Sequence, residues 1–414
     1  MNSGRTTARR RKNSLLRYLS LGALVLSALV ALWQSLRVHR SARETHPPDE
    51  APLPMPAPHV SIILPVRNEE ATLDACLASL LAQEYPDFDI TIIDDGSTDA
   101  TPRLLAAWST RDQRIQVHRI DRLPEGWAGK AHALHTGVTR TSGEWLLFTD
   151  ADTRHAPQTL RLMTGHALRK QDDLLSMRTT LMTLIGPATS LLMPLSEVLL
   201  AHRVTPAEVR DPAFPHAFAF GQYILLRREA YLATGGYAAA GMRGTPIDDL
   251  ALADLLKRHG RRVEIVGGRG LVANRQWTTW RSALQGWRKS CYGELARSNY
   301  PLAGLPAAPA LIVYGLGPLC TLVYALRAGR VRRFSTLLAG IALVAQIDAK
   351  RCIDREFDLA IAWSLAAPAG WVVFGILVAD VAYRILSGRG AEWKGRQLPK
   401  QEESSSDRSD IISL

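Results

Sequence analysis

Two aspartates separated by one residue follow an apolar segment in the middle of the chain. The segment reads EWLLFTDADT over residues 144–153, so that Asp150 and Asp152 come at the end of a predicted buried strand. Buried carboxylates repel each other and are costly to desolvate unless a positive charge lies close by. Oxygen ligands favour Mg²⁺ or Mn²⁺, and such a cation, when few carboxylates hold it, usually also contacts a substrate phosphate. We therefore expect Asp150 and Asp152 to bind a divalent metal that contacts a diphosphate.

Two other predicted strands end in acidic or polar residues. ILPVRNEE covers residues 63–70, and TIIDDGSTD covers residues 91–99 with Asp94 and Asp95 in its centre. Ligands of an open α/β sheet bind beyond the carboxyl ends of its strands, so three polar ends at one edge indicate a ligand site. Acids also form turns and cap helices, and Asp94 and Asp95 could cap the helix that follows them.

The elements that must position these residues alternate between apolar strands and amphipathic helices over residues 60–275. Predicted strands cover residues 60–66, 89–95, 115–120 and 144–150, and predicted helices cover residues 69–83, 100–111 and 129–141. Near-continuous apolar strands separated by helices indicate an α/β fold with a mostly parallel sheet covered by helices on both faces. No GxGxxG follows the first strand, which disfavours a dinucleotide-dependent oxidoreductase.

Three uncharged segments are long enough to span a membrane as helices. Residues 18–36, 307–326 and 359–379 contain no charged side chain, and about 20 such residues cross a bilayer. Residues 334–347 form a fourth apolar segment that is short for a span, and we expect it to cross with a tilt or to lie in a re-entrant or interfacial position. The first segment could also be a cleaved signal peptide, but it lacks a clear cleavage site, and we favour an uncleaved anchor.

The positive charge of the chain is concentrated at its start. The net charge is +11, and residues 1–43 contain nine Arg or Lys and no acid. This distribution favours anionic lipid headgroups as the partner and disfavours nucleic acid. The four cysteines are far apart, without metal-ligand spacing, which favours free thiols and a reducing compartment. We predict a multi-pass protein of the cell (inner) membrane with a cytoplasmic catalytic domain, although basic residues flank both sides of the first span and leave its orientation open.

The predicted organisation has six segments. These are a basic N-terminus with a transmembrane helix (1–43), a proline-rich linker (44–59), the α/β catalytic domain (60–275), an interfacial amphipathic helix (276–300), a C-terminal transmembrane region (301–386) and a polar tail (387–414). In the fourth segment apolar side chains recur every three or four residues, at Trp277, Trp280, Leu284, Trp287 and Cys291. A core-facing helix would show the same stripe, but the membrane span that follows favours an interfacial one.

A set of motifs recurs in a fixed order along the chain. They read VSIILPVRNEEATL, IIDDGSTDAT, GWAGKAHALHTG, LLFTDADT, GQYILLRREAYLATGGY and GMRGTPIDDLALADLLKRHGRRVEIV, all within residues 60–290. Together they resemble the family 2 glycosyltransferases, which implies a GT-A, Rossmann-like fold for the catalytic domain. The C-terminal WSLAAPAGWVVFGILVADVAYRILSGRGAEWKGRQ is similar to the membrane end of a bacterial subgroup that includes carotenoid- and hopanoid-associated glycosyltransferases.

The resemblance implies a nucleotide-sugar site at the strand ends. Asp94 and Asp95 would bind the uracil and the ribose, and Lys130 would approach the diphosphate. The same pocket would be lined, after the first strand, by Pro65, Arg67, Asn68 and Glu69.

The resemblance also implies the metal ligands and a general base. Asp150 would contact the sugar-diphosphate and share the metal with Asp152, and Asp249 would be the base. The family usually has Glu before the base, where this chain has Asp248, so which of the two acids reaches the acceptor stays open. Processive members carry Gln-x-x-Arg-Trp, whereas QGWRK at residues 285–289 ends in Lys, which favours a single transfer over polymerisation.

The sequence therefore predicts a membrane-bound inverting glycosyltransferase that depends on Mg²⁺ or Mn²⁺. It would move one sugar from a nucleotide-sugar, with a UDP-sugar favoured, to a hydroxyl of a hydrophobic lipid such as a hydroxycarotenoid or another isoprenoid. Two alternatives stay open. One is a polyprenyl-phosphate glycosyltransferase, and the other is a nucleotide-binding membrane protein without transferase activity.

Overall fold

The computed structural model describes residues 3–182, 186–275, 277–297, 304–328 and 333–398 of the chain. It separates into two compact units. An α/β unit comprises residues Glu44–Thr189, Pro206–Pro301 and Val381–Leu414, and a helical unit comprises residues Met1–Arg43, Ser190–Thr205 and Leu302–Asp380. The end of the predicted polar tail, residues 399–414, lies outside the described residues.

The strands and helices have the following bounds. The strands are β1 (Val60–Val66), β2 (Phe88–Asp94), β3 (Ile115–Arg119), β4 (Trp145–Thr149), β5 (Thr153–His155), β6 (Leu174–Arg178), β7 (Thr180–Leu181), β8 (Tyr223–Arg227), β9 (Val263–Gly267), β10 (Val272–Asn274), β11 (Glu392–Trp393) and β12 (Arg396–Gln397). The helices are α1 (Ser3–Glu44), α2 (Leu73–Leu81), α3 (Thr101–Arg111), α4 (Gly129–Arg140), α5 (Thr159–Lys170), α6 (Pro187–Arg203), α7 (Pro206–Arg210), α8 (Arg228–Ala233), α9 (Asp248–Arg258), α10 (Trp280–Arg297), α11 (Gly304–Arg327), α12 (Phe334–Glu356), α13 (Ile361–Leu365) and α14 (Ala367–Leu386).

The α/β unit is built on a seven-stranded sheet with the order β3-β2-β1-β4-β8-β6-β9. The pairs β1–β2, β1–β4, β2–β3 and β6–β9 are parallel. β8 is antiparallel to both of its neighbours, β4 and β6. The predicted α/β fold with a mostly parallel sheet is confirmed, with β8 as its reversed strand.

Helices cover both faces of this sheet because its strands are apolar on both sides. In β1, Ile62 and Leu64 join the core cluster that includes Leu77 of α2, whereas the intervening Ile63 contacts Gly137 of α4 on the other face. All three β1 side chains are fully buried. Burying an aliphatic side chain of this size contributes about 1.5–3 kcal/mol, so this two-sided burial holds the strand ends in place.

The strand ends that carry the predicted site residues meet at one edge of the sheet. Val66 at the end of β1 pairs with Asp94 at the end of β2, and Asp150 follows the last residue of β4. Because β8 is reversed, it starts where β4 ends, with Tyr223 opposite Thr149. The residues just before β8 therefore also lie at this edge.

Of the three described helices that are long and apolar enough to cross a membrane, the helical unit contains one completely and most of the other two. These candidate spans are Tyr18–Glu44, Gly304–Arg327 and Ala367–Leu386. The uncharged run at residues 359–379 does not form one helix, because α13 ends at Leu365 and α14 starts at Ala367. The shorter run at 334–347 belongs to α12, which is not among the candidate spans in the described residues.

Small residues allow the helices of this unit to pack closely. A Cβ on Gly315 of α11 would lie 2.6 Å from the carbonyl oxygen of Pro368, and a Cβ on Gly375 of α14 would lie 2.8 Å from that of Ala308. Such close approach is typical of helix pairs in membranes, where van der Waals packing drives association. α1 packs against α12 through alanines, including Ala31 and Ala342.

Candidate active site

Lys130 lies at the centre of an acidic cluster. It is the second residue of α4, and its Nζ lies 2.7 Å from Oδ1 of Asp150 and 3.4 Å from Oδ2 of Asp248. Burial lowers the pKa of Lys130, but the charges of Asp150, Asp248 and Asp249 outweigh burial and raise its pKa above the ordinary value. A charged lysine is therefore fixed at the sheet edge.

Asp152 carries the charge in this cluster that is least well compensated. Burial, followed by the charges of Asp150 and Glu69, raises the pKa of Asp152 to about 7. Within the described residues no side chain forms an ion pair or hydrogen bond with its carboxylate. A divalent cation would offset this charge, so Asp150 and Asp152 fit the predicted metal by their oxygen ligands and by the repulsion between their carboxylates.

Asp249 is held by the backbone at the first turn of α9. Its Oδ2 accepts a hydrogen bond from the N–H of Gly221 at 3.0 Å, and its Oδ1 accepts one from the N–H of Leu250 at 2.9 Å. Burial and the neighbouring charge of Asp248 raise the pKa of Asp249. A fixed carboxylate with a raised pKa has the properties of a general base.

Asp248 differs from Asp249 in its surroundings. Asp248 is 5% exposed, and its Oδ2 has no hydrogen-bond partner beyond the ion pair with Lys130. Asp249 keeps more of its surface accessible. These surroundings favour Asp249 over Asp248 as the acid that an acceptor could reach.

Gly221 joins the cluster although sequence reasoning did not single it out. A Cβ at this position would lie 3.1 Å from both Oδ2 of Asp249 and Nζ of Lys130. Only glycine lets the backbone approach the two side chains this closely. The sequence offers one signal for Gly221, which is its position just before the apolar segment of β8. This signal points to the site only when β8 is known to run antiparallel to β4.

Asp94 is the last residue of β2, Asp95 follows it, and the two have different partners. Asp94 is buried, accepts the N–H of Ser97 at 2.8 Å and pairs with Nη1 of Arg119 at 3.1 Å. The N–H of Thr101, the first residue of α3, donates a hydrogen bond to Oδ1 of Asp99. Neither Asp94 nor Asp95 therefore caps that helix. Arg119, at the end of β3, is a second residue that sequence reasoning missed.

The loop after β1 is tied to the loop after β2. Asn68 has a left-handed backbone (φ 54°), its N–H donates to Ser97 Oγ, and its Oδ1 accepts the N–H of Thr98. Arg67 donates from Nη1 to the carbonyl oxygen of Asp95 at 2.6 Å. Pro65 lies within β1, opposite Ile93 of β2. The predicted pocket residues of β1 and β2 are therefore adjacent.

The C-terminal hairpin (Glu392–Gln397, strands β11 and β12) also reaches this pocket. Nζ of Lys394 pairs with Oε1 of Glu69 at 2.5 Å. Nη1 of Arg396 lies 2.7 Å and 2.6 Å from the two carboxylate oxygens of Asp95. Sequence reasoning noted Trp-Lys-Gly-Arg as a family-like motif without placing it at the site, because about 300 residues separate it from Asp95.

Two histidines near the site hydrogen-bond to neighbouring side chains. His155 is buried, hydrogen-bonds to Thr149 and Thr153, and burial lowers its pKa to about 3, so that it stays neutral. His135 hydrogen-bonds to the hydroxyl of Tyr231. These contacts are structural.

Another group of side chains within the described ranges has ligand atoms within 4.8 Å of one another: His166, Asp172 and Glu264. Nδ1 of His166 accepts the backbone N–H of Asp49 at 2.8 Å, so the ring proton is on Nε2, which lies 3.3 Å from Glu264. His166 thus joins the Asp49 backbone to Glu264, and Arg210 also pairs with Glu264 at 3.3 Å.

Comparison with known proteins agrees with the fold. Residues 61–231 match the family model described as "Glycosyl transferase family 2". The chain therefore contains a family 2 glycosyltransferase domain. This domain includes β1, β2, β4 and the residues Lys130, Asp150 and Asp152, while Asp249 and the C-terminal hairpin lie beyond the matched range.

Two similar proteins extend the comparison. A 4,4'-diaponeurosporenoate glycosyltransferase of Staphylococcus aureus is 29% identical over 236 residues, which cover 56% of this chain and 60% of the relative. A solved structure of the mannosyltransferase PcManGT from Pyrobaculum calidifontis, in complex with GDP-Man and Mn²⁺, superposes with a TM-score of 0.54 at 19% identity, over 89% of this chain and 99% of that one. The structural match shows a shared GT-A-like fold.

Proposed function

We propose that the chain is a membrane-bound inverting glycosyltransferase that moves one sugar from a nucleotide-sugar to a hydroxyl of a hydrophobic, isoprenoid-type lipid. The observation that carries the proposal is the meeting of Lys130, Asp150 and Asp248–Asp249 at the carboxyl edge of the sheet. Lys130 and Asp150 belong to the segment that matches glycosyl transferase family 2, and the other two acids lie beyond it. The fixed Lys130 suits the binding of a diphosphate, and the neighbouring Asp249 suits the removal of a proton from the acceptor.

The proposed reaction is a single displacement. The acceptor hydroxyl gives its proton to Asp249 while its oxygen attacks the anomeric carbon. The bond from that carbon to the nucleoside diphosphate breaks on the opposite side, which inverts the configuration. Lys130 offsets the charge that develops on the leaving diphosphate. The backbone hydrogen bonds of Asp249 keep its carboxylate oriented for this step.

Asp150 and Asp152 are the residues that would hold Mg²⁺ or Mn²⁺. Such a metal, when bound, supplies positive charge to the diphosphate. The support is the uncompensated charge of Asp152 and the Mn²⁺ complex of the Pyrobaculum mannosyltransferase. Asp94, Asp95 and the loop from Pro65 to Glu69 would bind the nucleoside, with uracil as the proposed base.

A lipid acceptor is supported by the candidate spans and by the relative's name. One helix would be enough to anchor a soluble domain at a membrane, whereas three helices of the described residues could cross. The Staphylococcus relative is named for a carotenoid acid, and we propose a hydroxylated carotenoid or similar isoprenoid here. We also propose that the enzyme lies in the inner membrane, with its catalytic domain in the cytoplasm.

The test uses membranes that contain the full-length chain and a radiolabelled UDP-sugar. We expect label in the organic phase, and mass spectrometry of lipids from cells with and without the gene should identify the product. Label only in water-soluble oligosaccharide or in long polymer would contradict the lipid acceptor.

Transfer to a phosphate that persists in Asp249→Asn would indicate a polyprenyl-phosphate enzyme, because an ionised acceptor needs no base. Nucleotide binding without transfer to any lipid extract would indicate a non-catalytic protein.

A further inference from the structure

The turn of the C-terminal hairpin places a lysine where glycine or asparagine is usual. Glu392 pairs with Gln397 and Trp393 with Arg396, which leaves a two-residue turn of Lys394 and Gly395. Both turn residues have positive φ, 46° at Lys394 and 75° at Gly395. Such turns favour Asn-Gly because a longer side chain is strained at positive φ. A lysine held in this conformation indicates a use for its ammonium group.

The hairpin turn is locked onto the loop after β1 by reciprocal bonds. Nζ of Lys394 donates to the carbonyl oxygen of Arg67 at 2.9 Å, and Nε of Arg67 donates to the carbonyl oxygen of Lys394 at 3.3 Å. The same ammonium group pairs with Glu69. The backbones of the hairpin turn and of the loop after β1 are thus joined at the mouth of the pocket by the side chains of Arg67, Glu69 and Lys394.

Arg396 fits into a space that two glycines leave open. A Cβ on Gly129 would contact the Asp95 carboxylate and lie 3.2 Å from Nη1 of Arg396, and a Cβ on Gly96 would lie 3.3 Å from its Nη2. Nη2 also donates to the Asp95 carbonyl oxygen at 3.2 Å. The Asp95 side chain is 8% exposed, so the guanidinium has a built site within the wall of the pocket.

The base of the hairpin is packed and does not form a loose flap. Ala391 and Tyr292 of α10 share an apolar cluster with Val381, against which Leu398 packs. Nζ of Lys289, on α10, lies 5.5 Å from the centre of the Trp393 ring. The hairpin is therefore prepositioned by α10.

The positive charges of Lys394 and Arg396 balance acidic charges at the pocket. The acids at the pocket include Glu69, Asp94, Asp95 and Asp152, whereas a nucleoside diphosphate is itself anionic, so the acids alone would repel it. We propose that Lys394 and Arg396 are positioning residues of the donor site, which hold Glu69 and Asp95 neutralised and oriented so that the pocket accepts a nucleoside diphosphate. This inference rests on the proposed function and deepens its donor site.

The test measures nucleotide affinity separately from transfer. Full-length protein in detergent is titrated calorimetrically with UDP, and with GDP in parallel. We expect Arg396→Ala to weaken binding roughly 10–100-fold, because removing one partner of a buried charge pair leaves the other unpaired. Lys394→Met should weaken binding less, and Arg396→Lys should recover part of the affinity. In transfer assays the KM for the donor should rise while kcat stays near the wild-type value.

The matched control is Arg389→Ala, which removes an exposed positive charge from the same C-terminal segment, where Arg389 lies over the ring of Tyr383. It should bind nucleotide as the wild type does. Unchanged affinity in Arg396→Ala would overturn the inference, and tighter binding would show instead that the hairpin obstructs the pocket. If Arg396→Ala lowers the unfolding midpoint, the nucleotide affinities of Lys394→Met and Arg396→Lys take its place. Unchanged or tighter binding in those two variants then has the same meaning as in Arg396→Ala. Failure of the wild type to bind either nucleotide would overturn the proposed function as well.

Discussion

Two acidic clusters lie at opposite edges of the same sheet, and they differ in how their charges are satisfied. Asp152 follows β4 at its carboxyl end, whereas Asp172 precedes β6 at its amino end, and the two strands run in the same direction because both are antiparallel to β8. Burial and neighbouring carboxylates raise the pKa of Asp152 to about 7 and that of Asp172 to about 8. A perturbed carboxyl group therefore does not by itself identify the active site.

The difference lies in the partners. The cluster of Asp172 is closed in the sense that Glu264 lies beside it and in turn contacts both His166 and Arg210. The raised pKa of Asp172 keeps this carboxyl protonated beside the Glu264 carboxylate, although its Oδ2 has no hydrogen-bond partner in the described residues. At the other edge no side chain of the described residues forms an ion pair or hydrogen bond with the Asp152 carboxylate, which is where the proposed metal would add positive charge. The cluster of Lys130, Asp150, Asp152, Asp248 and Asp249 is open in this sense. An open cluster at the carboxyl edge of the sheet is where chemistry is expected.

The largest expected effect is at the open cluster. Asp152→Ala should abolish measurable transfer and leave the unfolding midpoint unchanged, because this carboxylate adds little to the core. Chelation of divalent metal should have the same effect on the wild type, and Mn²⁺ or Mg²⁺ should reverse it. Asp172→Asn is the matched control and should keep full activity. Full activity in excess chelator would remove the metal from the proposal.

The second effect concerns the base. Loss of a general base typically lowers the rate by about 10²–10⁴-fold, and Asp249→Asn should lower kcat by that much with little change in nucleotide affinity. Asp248→Asn should lower kcat less, because its buried Oδ2 faces Lys130. The reverse order of the two variants would assign the base to Asp248.

The third effect tests how tightly the open cluster is built. In Gly221→Ala the added methyl group would press on Asp249 and Lys130, so kcat should fall about tenfold, in keeping with the sensitivity of catalysis to misplaced groups. Circular dichroism and the unfolding midpoint should stay close to the wild-type values. Wild-type kcat in this variant would show that the close approach is not needed for transfer.

Sequence reasoning could place the open cluster because its signals are local. β1, β2 and β4 are apolar segments that end in Asp or Asn within a few residues, and parallel pairing brings such ends together. It could not place Arg396 beside Asp95, since no local pattern encodes a contact across the whole domain. The reversal of β8, which brings Gly221 to the site, also depends on tertiary packing.

The smallest expected effect on activity, and the sharpest test of the comparison, is at the closed cluster. In the unfolded chain the Asp172 carboxyl ionises near its ordinary pKa of 3.8, whereas in the folded chain it keeps its proton until about pH 8. Folding therefore takes up a proton between these values, so the free energy of unfolding falls as pH rises, by at most about 1.4 kcal/mol per pH unit from this group.

Asp172→Asn should remove this pH dependence, because an amide stays neutral and can still donate a hydrogen bond to Glu264. Below about pH 4 the variant should be about as stable as the wild type, and near pH 9 it should be more stable. Denaturant unfolding across this range measures the difference, with transfer activity followed in parallel. Equal slopes for the two proteins would mean that Asp172 is ionised in the native state and that the cluster needs a positive partner, as the open one does.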